Sequence, residues 1–218
     1  MRISKSTLII LFITLSLILS FSFGEQVKGK LAIAKYGTPK IDGEMDEIWK
    51  STEEYLTDSY VQGTKGKVAY AKFRVLWDET SIYVYAEVFD SLLNKENSNP
   101  WEQDSIEIFI DENNSKGSSY DSDDAQYRVN FDNYQSFGTN ASKDYFVTAT
   151  KKTPTGYIVE LQLKMKKTKL EEGKILGFDV QVNDADFLGS RVGIIAWNEV
   201  ENINWINPSS FGNLKLVK

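Results

Sequence analysis

Asn99-Pro100-Trp101-Glu102-Gln103-Asp104-Ser105-Ile106-Glu107-Ile108-Phe109-Ile110-Asp111 reads as a loop carrying a tryptophan that runs straight into a strand. Ile106, Ile108 and Ile110 fall on one face and Ser105 and Glu107 on the other, the period of two that marks a pleated, half-buried segment. Gln126-Tyr127-Arg128-Val129-Asn130-Phe131 repeats the pattern, with Gln, Arg and Asn opposite Tyr, Val and Phe. Outward from these two stretches, nearly every segment after Lys30 alternates in the same way. Strands are expected at 31–36, 68–77, 82–90, 105–111, 126–132, 145–151, 157–164, 176–183, 192–197 and 214–217. They are rich in β-branched and aromatic residues, and polar or glycine-containing turns such as Thr153-Pro154-Thr155-Gly156 separate them. The one helical patch lies around residues 44–50. Short strands with few helices predict an all-β fold, an antiparallel β-sandwich of jelly-roll type with very little helix.

The first residues do not belong to that fold. Arg2 and Lys5 precede an apolar run from Leu8 to Phe23, and Ser22-Phe23-Gly24 supplies small residues at a cleavage position. This is the layout of a secretory signal peptide over residues 1–24, leaving one domain over 25–218 and implying a secreted protein, possible retention at the cell surface included. An uncleaved anchor is the alternative reading of the same run. The chain has no Cys, so no lipid can be attached at the cleavage site and an exported domain must rely on its core and on bound ions. A formal net charge of −6, which already counts the two basic residues of the leader, argues against nucleic acid or an anionic membrane as partner. The absence of His removes the commonest general base, the commonest zinc ligand and every Ser–His or Cys–His nucleophile.

The phase of the alternation selects candidate functional faces. In 176–183 the apolar set Leu176, Phe178, Val180 and Val182 opposes Gly177, Asp179, Gln181 and Asn183, which have hydrogen-bonding reach but no long charged tails. Glu107 with Ser105, and Arg128 with Gln126 and Asn130, extend the same composition. As neighbours these strands would tile a polar floor. By contrast, Ile158, Glu160, Gln162 and Lys164 read as a plain solvated face. Trp101 and Trp205 sit in loops beside Asn99-Pro100 and Asn207-Pro208, whereas Trp49, Trp77 and Trp197 fall where they would close the ends of a sandwich. A sugar is apolar on its ring faces and polar round its edge, so a loop indole above a polar floor suits it. Each feature also has a plainer reading: either loop Trp could plug the sandwich, Glu107 and Arg128 could be a cross-strand pair, and Asn202 could serve only its turn.

Carboxylates raise two further possibilities. Glu102, Asp104 and Glu107 have the Glu-x-Asp-x-x-Glu spacing of jelly-roll glycosidases, in which two acids flank the scissile bond; Gln103 stands where that pattern wants an apolar residue. The acidic stretches 42–47, 111–114 and 121–124 carry the oxygen donors that calcium prefers. Asp111-x-Asn113-x-Ser115 begins like an EF-hand loop, but Lys116 occupies the glycine position and Ser122 the bidentate position, so that motif fails. Haem is disfavoured without His.

Ala34-Lys35-Tyr36-Gly37-Thr38-Pro39, Ile41-Asp42-Gly43-Glu44, Arg74-Val75-Leu76-Trp77-Asp78-Glu79, Asn97-Ser98-Asn99-Pro100-Trp101-Glu102-Gln103-Asp104-Ser105, Asp123-Asp124-Ala125-Gln126, Val182-Asn183-Asp184-Ala185 and Phe211-Gly212-Asn213-Leu214 closely resemble the family-nine carbohydrate-binding modules. These occur at the C-terminus of modular bacterial xylanases. The likeness runs from about Leu31 to the end. It implies a non-catalytic β-sandwich that binds the reducing ends of cellulose and xylan chains and soluble oligosaccharides, with structural calcium. The two clamping tryptophans of the family match Trp101 and Trp205, its acid Glu107, its basic residue Arg128, and its amides Asn130 and Asn202. Calcium ligands do not carry over singly; Glu44, Asp46, Asp104 and Asp124 are candidates by acid placement. The resemblance also implies a partner glycoside hydrolase, although here a leader is expected to run directly into the module.

Overall fold

The computed structural model describes residues 29–218; the expected signal peptide over residues 1–24 lies outside them. Thirteen strands form: β1 (Leu31–Tyr36), β2 (Tyr55–Leu56), β3 (Ser59–Gln62), β4 (Tyr70–Trp77), β5 (Ser81–Phe89), β6 (Ser105–Asp111), β7 (Asp124–Asn130), β8 (Gln135–Phe137), β9 (Phe146–Thr153), β10 (Gly156–Lys164), β11 (Ile175–Ala185), β12 (Arg191–Ala196) and β13 (Gly212–Val217). Among the described residues the remaining regular structure is four short 3-10 turns, and the helical patch expected at 44–50 is one of them, Glu47–Ser51. No helix there is long and apolar enough to cross a membrane.

The strands follow one hydrogen-bonded path, β8-β7-β6-β11-β13-β1-β4-β5-β10-β9, with β12 on β11 and β3, and β2 on β4. The sheet curls so that its two halves face each other. Phe73 of β4 approaches Phe178 of β11 at 6.3 Å between ring centroids, and Phe131, just past β7, approaches Tyr157 of β10 at 6.1 Å. Between the halves lies the main core, to which the alternate apolar residues of β4, β5, β6, β7, β10 and β11 all contribute. The architecture is the expected all-β, sandwich-like one, but the sheet is mixed. β1 runs parallel to both β13 and β4. Alternation fixes which face a side chain takes and carries no information about strand direction. At the β9–β10 hairpin Gly156 has φ +147°, and a Cβ there would lie 2.1 Å from the Val88 carbonyl oxygen, so no larger residue fits.

The outer face of β10 is not simply solvated. Glu160 is fully buried and accepts hydrogen bonds from Trp49 Nε1 at 2.8 Å and from the Asp42 and Gly43 amides at 3.0 Å. A second, smaller core of Trp49, Leu76, Tyr83 and Tyr85 sits there beneath the segment around residues 41–51. The period of two identifies a face; whether a distant stretch of chain folds over it is a tertiary matter. Trp77 and Trp197 are likewise buried, which leaves Trp101 and Trp205 as the exposed tryptophans.

Candidate functional site

Register builds the floor of a cleft on the other side of β6, β7 and β11. Glu107 pairs with Arg128 on one side and Gln181 on the other, forming a row across three strands. The row toward the Trp101 loop is Asn130, Ser105 and Asn183; the row on the opposite side is Gln126, Phe109 and Asp179. Even residues of β7 and odd residues of β6 and β11 therefore share one face, as the pleat requires.

At the centre, the Glu107 carboxylate accepts from Arg128 Nε at 2.7 Å, Gln126 Nε2 at 2.5 Å and Asn183 Nδ2 at 2.6 Å. It is 1 % exposed and its Arg128 partner 6 %. Burial alone would raise the Glu107 carboxyl, but the Arg128 guanidinium and the amide donors outweigh it and hold the group below the ordinary range. It is thus a fixed anion. Arg128 spends Nη1 on Ser136 Oγ at 3.0 Å, and the guanidinium has N–H groups left to offer the cleft.

The cleft over this floor has a volume of about 570 Å³ and is lined by Trp101, Glu107, Arg128, Arg191, Asn202 and Trp205, with Phe109, Gln126 and Gln181 below. Trp101 is 45 % exposed and Trp205 58 %. Trp101 rides on a 3-10 turn, Pro100–Glu102, held to the neighbouring β12 hairpin: Arg191 Nη1 donates to the Trp101 carbonyl and the Arg191 amide donates to Glu102. Trp205 is fixed from within its own loop, where its Nε1 donates to the Asn202 carbonyl at 3.0 Å. Asn202 has φ +59°, a left-handed conformation that Asn tolerates better than most residues. Beneath that loop Asp179, fully buried, accepts from the Asn198 and Glu199 amides and from Asn204 Nδ2.

Five of the six expected sugar-site residues therefore meet in one cleft. Asn130 does not line it. Its Nδ2 donates to Gln103 Oε1, and its Oδ1 accepts from the Asp132 and Tyr134 amides. Its place is under the Trp101 loop. Arg191 and Phe137 escaped the sequence reading, because a charged residue opening a strand and an aromatic in a three-residue strand carry no periodic signal. Glu102 and Glu107, the alternative catalytic pair, are both committed: Glu102 to the Arg191 amide, and Glu107 to three donors at once.

Of the candidate metal ligands, Glu44 is exposed and paired with Lys151, and Asp46 accepts from the Lys40 amide; neither joins a cluster. Asp104 and Asp124 each belong to a buried triad able to hold a metal ion, Asp90–Asp104–Asp184 and Asp111–Asp123–Asp124, with carboxylate oxygens within 4.8 Å of one another. Each triad has an orphan. Asp90 Oδ2 and Asp124 Oδ1 are buried without hydrogen-bond partners, and beside the first triad the fully buried Tyr157 hydroxyl is also unpartnered. Burial raises the Asp124 carboxyl to about 7, and burial followed by the charge of Asp90 raises that of Asp104. Crowded, dry, all-oxygen sites of this kind fit a hard divalent cation. A second hollow, of about 600 Å³, opens over Asp90 and Asp184 but has no exposed indole.

Residues 41–218 match a family described as "Carbohydrate family 9 binding domain-like". The chain belongs to it. As a family-nine carbohydrate-binding module it is non-catalytic, in keeping with the locked state of Glu107. It is 58% identical over 188 residues to endo-1,4-beta-xylanase A of Thermotoga neapolitana, and 48% identical over 198 residues to exoglucanase XynX of Acetivibrio thermocellus. These matches cover 86% and 89% of this chain but only 18% of each enzyme. Among solved structures, the chain is similar to a family-nine module of Caldicellulosiruptor kristjanssonii in complex with cellotriose, and to the same module in complex with glucose. Each comparison has a TM-score of 0.81 and 42% identity over 86% of this chain, covering 94% and 95% of those chains.

Proposed function

We propose that this module binds the end of a β-linked glucan or xylan chain, and soluble oligosaccharides of the same kind, between Trp101 and Trp205. The observation that carries the reading is the fixed Glu107–Arg128 pair lying at the bottom of a cleft whose rim holds two exposed indoles. The indoles supply faces for the sugar's C–H surfaces, while the charged pair and Asn202 supply directional, charge-assisted hydrogen bonds to its hydroxyls. Because Glu107 and Arg128 already orient each other, little ordering cost falls on binding. That the similar Caldicellulosiruptor module was solved with glucose as well as cellotriose supports a site filled by a single terminal ring.

Calcium suits both acid triads, as structural ions that neutralise carboxylates the fold has buried. The leader-like residues 1–24 support export, with action outside the cell on plant-type polysaccharide beside a glycoside hydrolase of the xylanase kind. Calorimetry with cellobiose, xylobiose and their reduced alditols tests the chain-end reading. Both disaccharides are expected to bind and both alditols to lose at least tenfold in affinity; equal affinity for sugar and alditol would defeat it.

A further inference from the structure

The loop between β6 and β7, residues 112–123, is rooted at both ends in the Asp111–Asp123–Asp124 triad. Asp111 accepts from the Ser115 and Lys116 amides at 3.2 and 2.8 Å. Asp123 takes both the amide and the side-chain Nδ2 of Asn113 at 2.9 Å, and Asp124 accepts from the Asp121 amide at 2.7 Å. The loop's fold is therefore written in bonds to the same three carboxylates that would ligate a cation. Of these carboxylates, Asp124 has an oxygen left unmet: Oδ1 is buried without a partner, on a residue with no exposed surface whose carboxylate belongs to the triad.

From the same loop Tyr120 reaches across to the other jaw of the cleft. Its hydroxyl donates to the Asn204 carbonyl at 2.5 Å, and its ring meets Phe211 edge-on at 6.3 Å. Asn204 is the residue before Trp205, and its own side chain is pinned by Asp179 and Ser210. The chain of contacts thus runs from triad to loop, from loop to Tyr120 hydroxyl, and from that hydroxyl to the peptide carrying the exposed indole. Among the described residues, the Trp205 side chain itself bonds only within its own loop, through Nε1 to the Asn202 carbonyl.

We propose that Tyr120 is a positioning residue that couples a divalent cation at Asp111–Asp123–Asp124 to the Trp205 jaw, so that cation and sugar each strengthen the binding of the other. Without the cation, three buried carboxylates repel one another and the loop that they anchor relaxes. The Tyr120 hydroxyl then leaves Asn204, and Trp205 must be ordered at the expense of sugar affinity. Coupling between two sites is reciprocal by thermodynamic necessity. This inference rests on the reading of the cleft as the sugar site.

The test is to titrate the intact chain with cellobiose after chelation and again in excess calcium, in wild type and Tyr120→Phe, and to titrate calcium against a competing chelator with and without saturating cellobiose. In wild type, calcium is expected to tighten cellobiose binding about tenfold, toward the lower end of the usual range for coupled sites, and cellobiose to tighten calcium binding by the same factor. Tyr120→Phe should hold calcium as wild type does, yet bind cellobiose at the weaker level and show neither mutual effect. Circular dichroism establishes that each species is folded; should the chelated chain unfold, the chelator-competition arm, performed on loaded protein, decides alone. Mutual tightening that persists in Tyr120→Phe, or cellobiose binding indifferent to calcium in wild type, overturns the coupling while leaving the cleft assignment standing. No cellobiose binding under any condition overturns the cleft assignment and the coupling with it.

Discussion

At the scale of single residues, the site turns on a charge that the fold has removed from water. Desolvating a carboxylate and a guanidinium together is costly, and the pair is tolerable because each is hydrogen-bonded on several sides. Removing one partner leaves the other buried and unpaired. Glu107→Gln is therefore expected to lower stability by about 3 kcal/mol, near the bottom of the range for a broken buried pair, and to abolish measurable cellobiose binding; a thermal melt beside a titration checks both. A variant with unchanged melting temperature and affinity would mean that the pair is neither buried nor used. The pH dependence has a definite sign. Because the folded Glu107 carboxyl sits below its unfolded value, its contribution is present above the ordinary Glu range and is lost as pH falls through the folded value.

At the scale of elements, strands were far more legible than loops. Every expected strand exists, because six to eleven alternating residues leave a clear periodic trace. β2, β3 and β8 span only two to four residues, too few for a pattern to form. The floor of the cleft was readable because β6, β7 and β11 place like-phased residues in register. Asn130 shows the limit of that reading, since phase put it on the correct face but could not reveal that Gln103 and the 132–134 turn consume its amide. The acids show it more sharply. Dense runs in sequence suggested Glu44 and Asp46, whereas the triads draw Asp90, just past β5, and Asp184, in β11, from places far apart along the chain. These triads also make the loops pH-sensitive. Burial lifts Asp124 to about 7, and burial with the neighbouring Asp121 lifts Asp123, so the cation-free fold keeps protons that the unfolded chain releases near pH ~4. Cation-free stability should then fall as pH rises from about 4 to 7, and added calcium should remove the decline. Melting curves across that window with chelator and with calcium check this; a cation-free stability that rises with pH would contradict it.

At the scale of the whole molecule, one curled sheet does two jobs with its two faces. The inner face of β6, β7 and β11 carries Ile106, Ile108 and Ile110, Ala125, Tyr127 and Val129, and Leu176, Phe178, Val180 and Val182, and closes the core against β4, β5 and β10. The outer face of the same strands is polar, buried by its own hydrogen bonds, and capped by two loops that each present a tryptophan. An acid triad stands near the root of each jaw: Asp104 lies three residues after Trp101, and the Asp111–Asp123–Asp124 group reaches the Trp205 loop through Tyr120. With cations held as proposed, a domain without Cys, and thus without disulfides, would gain rigidity at the cleft in this way. The most direct measurement is a calorimetric titration of cellobiose into wild type, Trp101→Ala and Trp205→Ala in calcium. Each exposed indole is expected to contribute about 2 kcal/mol, so each variant should bind roughly thirtyfold more weakly while keeping the wild-type melting temperature. Wild-type affinity in either folded variant would contradict the clamp on which the account depends.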